Sequence, residues 1–257
     1  KHQDELSEYT NLYLSDYAVI QKLNYQAESV KIAQDVGVPT PKTWFPEETP
    51  MEQIKEEVEY PVLVRPRTGS GSRGIKYIRN LKEFDRAYEA VSENYGTPMI
   101  QECVKKSGYI TACILLDKDQ KLVGEFSYVR TKEYPISGGP TVVGDSNDDE
   151  TAKSYAKRLL KAVSWEGPAE VEFIIDQNVT PKILEVNPRF WMPLHLAIKS
   201  GVDFPYLVYK LSQGQDVSPV TTYKTGVKYR WVLPNELLWL FNNPKKENGI
   251  KDVFNFW

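Results

Sequence analysis

Histidine and cysteine are scarce in this sequence, with two residues of each type among 257. The scarcity of histidine excludes most catalytic triads and most zinc sites that depend on imidazole. Cys103 and Cys113 lie in or beside strand-like segments, without a secretory context. This arrangement indicates reduced cysteines in a cytoplasmic protein and gives no support for a disulfide.

Long apolar runs and an excess of either charge are also missing. No run approaches the ~20 residues of a membrane span, and the opening KHQDELSEYT is too polar for a signal peptide. The net charge is −3, with acidic and basic residues interspersed, so we expect no nucleic-acid or membrane partner. At roughly 150 residues per domain, the length predicts one or two domains.

The most informative segment is AEVEFIIDQNVTPKILEVNPRFW, residues 169–191. Two apolar stretches of strand character, residues 171–175 and 183–186, flank the turn sequence DQNVTP, which predicts a β-hairpin. A turn symmetric about the bond between residues 178 and 179 sets the register. The cross-strand pairs would be Glu172 with Glu185, Glu170 with Asn187, and Phe173 with Leu184.

This register places the acidic side chains on one face of the hairpin. Like charges that face each other across a hairpin destabilise it, and a bound divalent cation is the usual compensation. Carboxylate and amide oxygens favour magnesium or manganese over zinc. Arg189 follows Asn187 by two residues and could hold an anion that the cations also hold, which points to a nucleotide phosphate. The alternative is an exposed hairpin whose acids face water.

A second informative segment is the loop of residues 66–74, which we call the flap. It joins strand-like residues 62–64 and 75–78 and is longer than the 2 to 5 residues that a hairpin needs. Glycines alternate with hydroxyl residues, so backbone N–H groups can turn toward an anion, and arginines add charge. The pattern predicts a phosphate-covering loop, although it is neither a P-loop nor a GxGxxG turn. The alternative is a flexible surface hairpin.

A third segment, RTKEYPISGGPTVVGDSNDD (residues 130–149), carries glycines, hydroxyls and Arg130. Its composition predicts a long loop, and loops of this length often carry function. An ordinary mobile loop is the alternative.

Together these segments resemble the ATP-grasp superfamily. The shared pattern is a strand with a basic residue, a Gly/Ser flap, the hinge strand MIQECV (residues 99–104), a glutamate on one strand, and Glu-x-Asn-x-Arg on the next. The resemblance runs from about Gln26 to Gly214. It is closest to the carbamoyl-phosphate-synthase-like group of carboxylate–amine ligases, through LEVNPRFW (184–191) and GVDFPYL (201–207).

The resemblance implies an α+β ATP-grasp fold, in which two α+β subdomains clasp a nucleotide between antiparallel sheets. It assigns residues 1–24 to a linker from a missing N-terminal domain, 25–98 to a small lid subdomain and 99–257 to a large C-terminal subdomain. Family enzymes usually begin with a Rossmann-like domain of about a hundred residues. That domain is absent here, so we expect an ATP-grasp core.

The resemblance also implies roles for particular residues. Two magnesium ions would be held by Glu172, Glu185 and Asn187, and Arg189 would steady the γ-phosphate and the acyl phosphate. The acceptor substrate would face Arg130 and the SGGP segment, residues 137–140. The implied nucleotide-binding residues are those of the phosphate strand, the flap and the hinge: Arg65, Thr68, Gly69, Ser70, Gly71, Ser72, Gly74, Gln101, Glu102, Cys103 and Val104.

Three departures from the family pattern concern the nucleotide. Lysine is usual at the positions of Gln26 and Arg65. At position 65, the arginine keeps the positive charge of a lysine, but its guanidinium is a planar fork and not a point charge. Relatives also carry a ribose-binding acid beyond the hinge, where this chain reads KKSGY, residues 105–109.

The implied activity is an ATP- and Mg²⁺-dependent, ADP-forming carbon–nitrogen ligase that joins a small carboxylate to an amine through an acyl phosphate. Such chemistry relies on metals, arginines and backbone amides, so few histidines are needed. A phosphotransferase or carbamoyl-phosphate-type activity is one alternative, and a non-catalytic nucleotide-binding module is another. The sequence leaves a homodimer open.

Overall fold

The computed structural model of the protein describes residues 2–69, 72–136 and 138–243, which form two antiparallel sheets covered by helices. The mixed α+β class predicted from the sequence is confirmed. The helices are α1 (Gln3–Ser7), α2 (Tyr17–Asn24), α3 (Gln26–Asp35), α4 (Met51–Glu57), α5 (Leu81–Tyr95), α6 (Glu150–Ala162), α7 (Leu194–Ser200), α8 (Phe204–Ser212) and α9 (Leu237–Asn242). The strands are β1 (Thr43–Trp44), β2 (Val62–Arg65), β3 (Lys76–Ile78), β4 (Met99–Glu102), β5 (Gly108–Leu116), β6 (Leu122–Glu133), β7 (Thr141–Asn147), β8 (Gly167–Ile175), β9 (Pro181–Asn187) and β10 (Lys228–Arg230).

The small sheet has four strands in the order β1-β4-β2-β3. Val62 of β2 pairs with Ile78 of β3, so the two strands on either side of the flap return antiparallel, as predicted. Helices α4 and α5 cover one face with Ile54, Phe84 and Val91, which are fully buried. The two strands that flank the flap therefore belong to a firmly packed sheet.

The large sheet has six strands in the order β10-β7-β6-β5-β8-β9. Helix α6 covers one face: Asp149 caps it by accepting a hydrogen bond from the N–H of Ala152, and its apolar stripe packs on β5 and β8. Helices α7 and α8 cover the other face, where Asp203 caps α8 in the same way through Tyr206. The sheet is thus buried on both faces over much of its area.

Strand β4 connects the two sheets because it pairs within the small sheet and leads directly into β5 of the large one. The division at residues 24 and 98 stays a prediction. Leu23 of α2 and Ala33 of α3 pack in the core of the large sheet, whereas Ala27 and Val30 of α3 pack against Met99 of β4. Helix α3 therefore contacts both halves.

One sequence expectation needs correction. Residues 130–149 are largely strand, since β6 extends to Glu133 and β7 covers Thr141–Asn147, so the long loop predicted there is much shorter. Two helices, α2 and α3, precede Gly37, and Tyr25 between them is extended. Within the described ranges, no helix combines the length and the apolar character that crossing a membrane requires.

Candidate nucleotide and metal site

A pocket of about 480 Å³ lies between the two sheets. Gly74, Gln101 and Glu102 do not line it, and Ser70 and Gly71 lie outside the described residues. Their roles, like those of the other candidates, remain predictions. The predicted site residues that line the pocket are Arg65, Thr68, Gly69, Ser72, Cys103, Val104, Arg130, Glu172, Glu185, Asn187 and Arg189.

The β8–β9 hairpin has the predicted register at its acidic end. Glu172 pairs with Glu185, and Glu170 pairs with Asn187. The predicted pairing of Phe173 with Leu184 is wrong, because a bulge follows Glu172 and Phe173 pairs with Ile183. The bulge brings Leu184 to the pocket beside Glu185.

The carboxylates of Glu170, Glu172 and Glu185, which we call the carboxylate cluster, converge on the amide of Asn187. Asn187 Nδ2 donates to Glu170 Oε2 at 2.9 Å, to Glu172 Oε1 at 3.2 Å and to Glu185 Oε1 at 3.2 Å. Glu170 is only 4% exposed. The alternative of a hairpin whose acids face bulk water is therefore wrong.

Burial and mutual repulsion shape the titration of the carboxylate cluster. Burial, followed by the nearby charge of Glu172, raises the pKa of Glu170 to about 8. The same two causes raise the pKa of Glu185. The two hydrogens of the Asn187 amide cannot fully satisfy three carboxyl groups, and a cation bound beside them would favour the ionised forms of Glu170 and Glu185.

The donor set fits a divalent cation, because carboxylate and amide oxygens are the ligands that magnesium and manganese prefer. Within the described part of the chain, however, no group of three or more His, Cys, Asp or Glu side chains is arranged to hold a metal as it stands. The reason is visible at Glu172, whose Oε2 accepts a hydrogen bond from Arg130 Nη2. A cation that bound Glu172 through this oxygen would have to displace the guanidinium.

Both terminal nitrogens of Arg130 are engaged inside the pocket, whereas its buried Nε has no acceptor among the described residues. Besides Glu172, Arg130 donates from Nη1 to Glu133 Oε2 at 3.2 Å and to the carbonyl of Gly139 at 3.3 Å, within the predicted acceptor segment. Its guanidinium lies 4.8 Å from the ring centre of Tyr109. Burial alone would lower the pKa of Arg130, but the charges of Glu172 and Glu133 raise it, so the group stays ionised.

Lys106 extends this network toward the hinge. Its Nζ donates to the hydroxyl of Tyr109 at 2.6 Å and to Glu133 Oε1 at 3.3 Å. Lys106 thus lines the pocket just beyond the hinge, in the segment where the sequence lacks a ribose-binding acid. Local sequence patterns offered no reason to select Lys106 or Glu133, because the contact between them joins segments that are distant in the sequence.

Arg65 lines the pocket from the small sheet and is 4% exposed. Its Nη1 donates to Gln101 Oε1 at 2.8 Å, and its Nη2 donates to Gln26 Oε1. Gln101 is itself fixed by donating to Thr43 Oγ1 at 2.9 Å. Both Gln26 and Arg65 stand at positions where the family usually has lysine. Here the neutral Gln26 accepts a hydrogen bond from the guanidinium of Arg65.

The described C-terminal part of the flap approaches its neighbours closely at two points. Gly74 has φ +79°, and a Cβ there would lie 2.6 Å from the ring of Tyr95 and 2.8 Å from Pro66. Ser72 reaches across to the large sheet, where a Cβ on Gly138 would lie 2.3 Å from its Oγ. Only glycine permits these two approaches.

The hinge and Arg189 complete the walls. Glu102 turns away from the pocket and accepts from Lys182 Nζ at 2.6 Å, while Cys103 and Val104 line the pocket. Arg189 is exposed at the rim, and its Nη2 donates to Asn187 Oδ1 at 2.9 Å. Arg189 is therefore accessible to an anion above the carboxylate cluster.

The chain resembles several characterised proteins. It is 23% identical over 210 residues to the biotin carboxylase of a Nostoc species, covering 76% of this chain and 47% of that protein. Its fold matches the biotin carboxylase domain of the Hydrogenobacter thermophilus 2-oxoglutarate carboxylase, solved with MgADP and bicarbonate as a dimer (TM-score 0.68, 21% identity, 84% of this chain and 51% of that chain).

A second solved structure with the same fold is the N5-carboxyaminoimidazole synthetase of Staphylococcus aureus complexed with ADP, at a TM-score of 0.70 and 18% identity. The match covers 86% of this chain and 59% of that one. The chain thus spans about half the length of the relatives that it matches. Residues 26–193 match the model of the ATP-grasp domain, and the chain belongs to the ATP-grasp family.

Proposed function

We propose that this protein binds MgATP in the pocket between its two sheets and acts as an ATP-dependent, ADP-forming carboxylate–amine ligase. The observation that carries the proposal is the convergence of Arg65, the carboxylate cluster and Arg189 on one pocket. Cationic and anionic side chains line the same cavity there, as the binding of a polyphosphate with its cations requires. Relatives solved with ADP and MgADP support the same assignment.

Within this proposal, each residue has a physical task. Glu172, Glu185 and Asn187 would hold the magnesium ions, which neutralise phosphate charge when bound. Arg65 would bind the phosphates nearest the small sheet, and Arg189 would stabilise the charge of the phosphoryl group in transfer. The apolar hinge side of the pocket would receive the base.

The proposed reaction has two steps. An oxygen of the substrate carboxylate attacks the γ-phosphorus of ATP, which forms an acyl phosphate and releases ADP. The nitrogen of the amine then attacks the acyl carbon, the carbon–oxygen bond to phosphate breaks, and phosphate leaves as the nitrogen loses a proton. Alignment of oxygens and neutralisation of charge are the main demands, and the arginines lining the pocket suit both.

The acid and the amine are unassigned, and a relative provides the first acid to test. Because the Hydrogenobacter domain was solved with bicarbonate, we propose bicarbonate or a carboxylate of similar size. Gly138, Gly139 and Arg130 would face this substrate at the acceptor end of the pocket. We also propose a homodimer, since the same relative was solved as one. The cytoplasmic location remains a prediction, supported by two free cysteines.

The decisive test measures nucleotide binding before turnover. Calorimetry with ATP in the presence and absence of Mg²⁺ should show metal-dependent binding, and a hundredfold excess over Kd should stabilise the fold by about 2.7 kcal/mol. Glu185→Ala and Asn187→Ala should remove the metal dependence, whereas Glu93→Ala, an exposed change on α5, should not. Retention of metal-dependent binding in the first two variants would contradict the proposal.

Turnover then separates the candidate activities. ADP release that needs both an acid and an amine supports a ligase, and a stable phosphorylated product supports a phosphotransferase. Tight MgATP binding without turnover in any substrate mixture supports a nucleotide-binding module. The ion pair of Arg130 with Glu172, a proposed metal ligand, is the observation that favours this last candidate.

A further inference from the structure

Glu170 is a buried carboxyl group for which sequence analysis predicted a position but no role. It lies on β8 two residues before Glu172. Each of its oxygens accepts one hydrogen bond from the protein: Oε1 from the hydroxyl of Tyr128 at 2.8 Å, and Oε2 from Asn187 Nδ2 at 2.9 Å. Because both oxygens are engaged and the side chain is buried, Glu170 is poorly placed to ligate a cation directly.

The contacts of the Asn187 amide fix which of its two ends faces which neighbour. Its nitrogen faces the carboxylate cluster, which accepts hydrogen bonds, and its oxygen faces Arg189 Nη2, which only donates. The flipped amide would set oxygen against carboxylates and NH₂ against a guanidinium, and both contacts are repulsive. The oxygen therefore remains on the side of Arg189, where a cation would have to share it with the guanidinium or displace the guanidinium.

We infer that Glu170 is a positioning residue that orients Asn187 as a ligand for the nucleotide-bound metal. The inference rests on the proposed function, because it assigns Asn187 to the metal. Of the three carboxylates that contact the Asn187 nitrogen, Glu172 and Glu185 are themselves proposed metal ligands. When they turn to the cation, Glu170 is the acceptor left to hold the nitrogen.

Tyr128 supports this arrangement from the other side. It is 1% exposed on β6, and its hydroxyl also lies 3.5 Å from Thr141 Oγ1. Burial, followed by the charge of Glu170, raises the pKa of the phenol well above its ordinary value, so it stays a donor. The hydrogen bond from the phenol holds Oε1 of Glu170 in place. Because the carboxyl group is planar, Oε2 is then directed toward Asn187 Nδ2. Groups of this kind behind a metal ligand commonly tune metal affinity.

The diagnostic substitution is Glu170→Gln, which keeps size and shape but replaces one acceptor oxygen with NH₂. If the remaining oxygen accepts from Tyr128, the new NH₂ faces the Asn187 nitrogen, and the Asn187 amide must rotate. We measure the Mg²⁺ concentration that half-saturates ADP binding by calorimetry at a pH above 8, where Glu170 is ionised and both of its oxygens are acceptors. The expected increase is about 10- to 100-fold, with ADP binding in EDTA unchanged.

The matched control is Glu125→Gln. Glu125 is a buried glutamate that contacts Lys153 and Lys157 of α6 and does not line the pocket.

A second variant keeps the test decisive if Glu170→Gln does not fold. Tyr128→Phe removes the hydroxyl and should raise the half-saturating Mg²⁺ concentration by about 2- to 10-fold. Unchanged Mg²⁺ dependence in the folded variants, beside a wild type that binds MgADP, would overturn the role of Glu170 alone. A wild type without metal-dependent ADP binding would overturn the proposed function as well.

Discussion

Arg65 on β2 donates a hydrogen bond of 2.8 Å to the side chain of Gln101 on β4, while its other terminal nitrogen donates to Gln26 on α3. The guanidinium is buried, and within the described part of the chain its Nε has no acceptor. Two neutral acceptors, Gln101 and Gln26, thus orient the Arg65 guanidinium without neutralising its charge. Arg65 can therefore still attract a phosphate.

The first prediction concerns Gln26→Ala. The change leaves a buried charged donor without its acceptor, which should destabilise the fold by about 1.5–3 kcal/mol and weaken ADP binding about tenfold or more. Denaturant unfolding and calorimetry measure the two effects. Gln34→Ala, an exposed change on the same helix, is the control. Unaltered ADP affinity in a folded Gln26→Ala protein would argue against an orienting role.

A second prediction concerns competition between Arg130 and a cation for Glu172. Arg130→Met leaves a buried carboxylate unpaired, so the metal-free protein should lose about 3–5 kcal/mol of stability. Mg²⁺ should restore part of this loss and raise the melting temperature more than it does in the wild type. Thermal unfolding with and without MgCl₂ tests this, with the exposed Arg158→Met as control. If Mg²⁺ raised the melting temperature of the variant only as much as that of the wild type, competition between Arg130 and the cation for Glu172 would be contradicted.

The raised pKa of Glu170, about 8, predicts how stability depends on pH without metal. Between the unfolded value near 4.3 and about 8, the folded state binds a proton that the unfolded state has lost. Unfolding free energy should therefore fall as pH rises through this window, by at most about 1.4 kcal/mol per unit, and level off above it. Denaturant unfolding in EDTA measures the slope. Glu170→Gln should flatten it, and an identical slope in both proteins would refute the assignment.

The fourth prediction concerns the anchor of the flap. In Gly74→Ala, the new methyl group would collide with Tyr95 and Pro66 at a positive φ, so the flap must move. We expect ADP affinity to fall about tenfold, since the flap is proposed to cover the phosphates. Gly214→Ala introduces similar strain at φ +68° with no atom within 4 Å, and it should lower stability without changing affinity. Equal ADP affinities for the two variants would contradict the prediction.

Local patterns were enough to predict the fold class and the acidic face of the β8–β9 hairpin. Alternation on each strand and the turn composition set the pairing of Glu172 with Glu185. They could not reveal the bulge beside Leu184, because a two-residue period assumes regular pairing. The family resemblance added the nucleotide site as an expectation.

Contacts between distant segments could not be predicted from local patterns. The Arg65 side chain could have had many acceptors, and only packing of α3 beside β2 brings Gln26 to it. The ion pair of Arg130 and Glu172 depends likewise on how β5 separates β6 from β8. Local patterns likewise could not reveal that the two sides of helix α3 pack on different sheets.

The bulge in the β8–β9 hairpin bears on how insertions and deletions would act in this protein. It lies between the turn and the pair of Glu172 with Glu185, so regular pairing resumes on the acidic side. Losing one residue from the turn can be absorbed by straightening the bulge, and the acids then keep their partners. Leu184 would, however, rotate to the opposite face and leave the pocket floor. A change in turn length would therefore leave the pairing of the acids intact and would instead change the shape of the cavity.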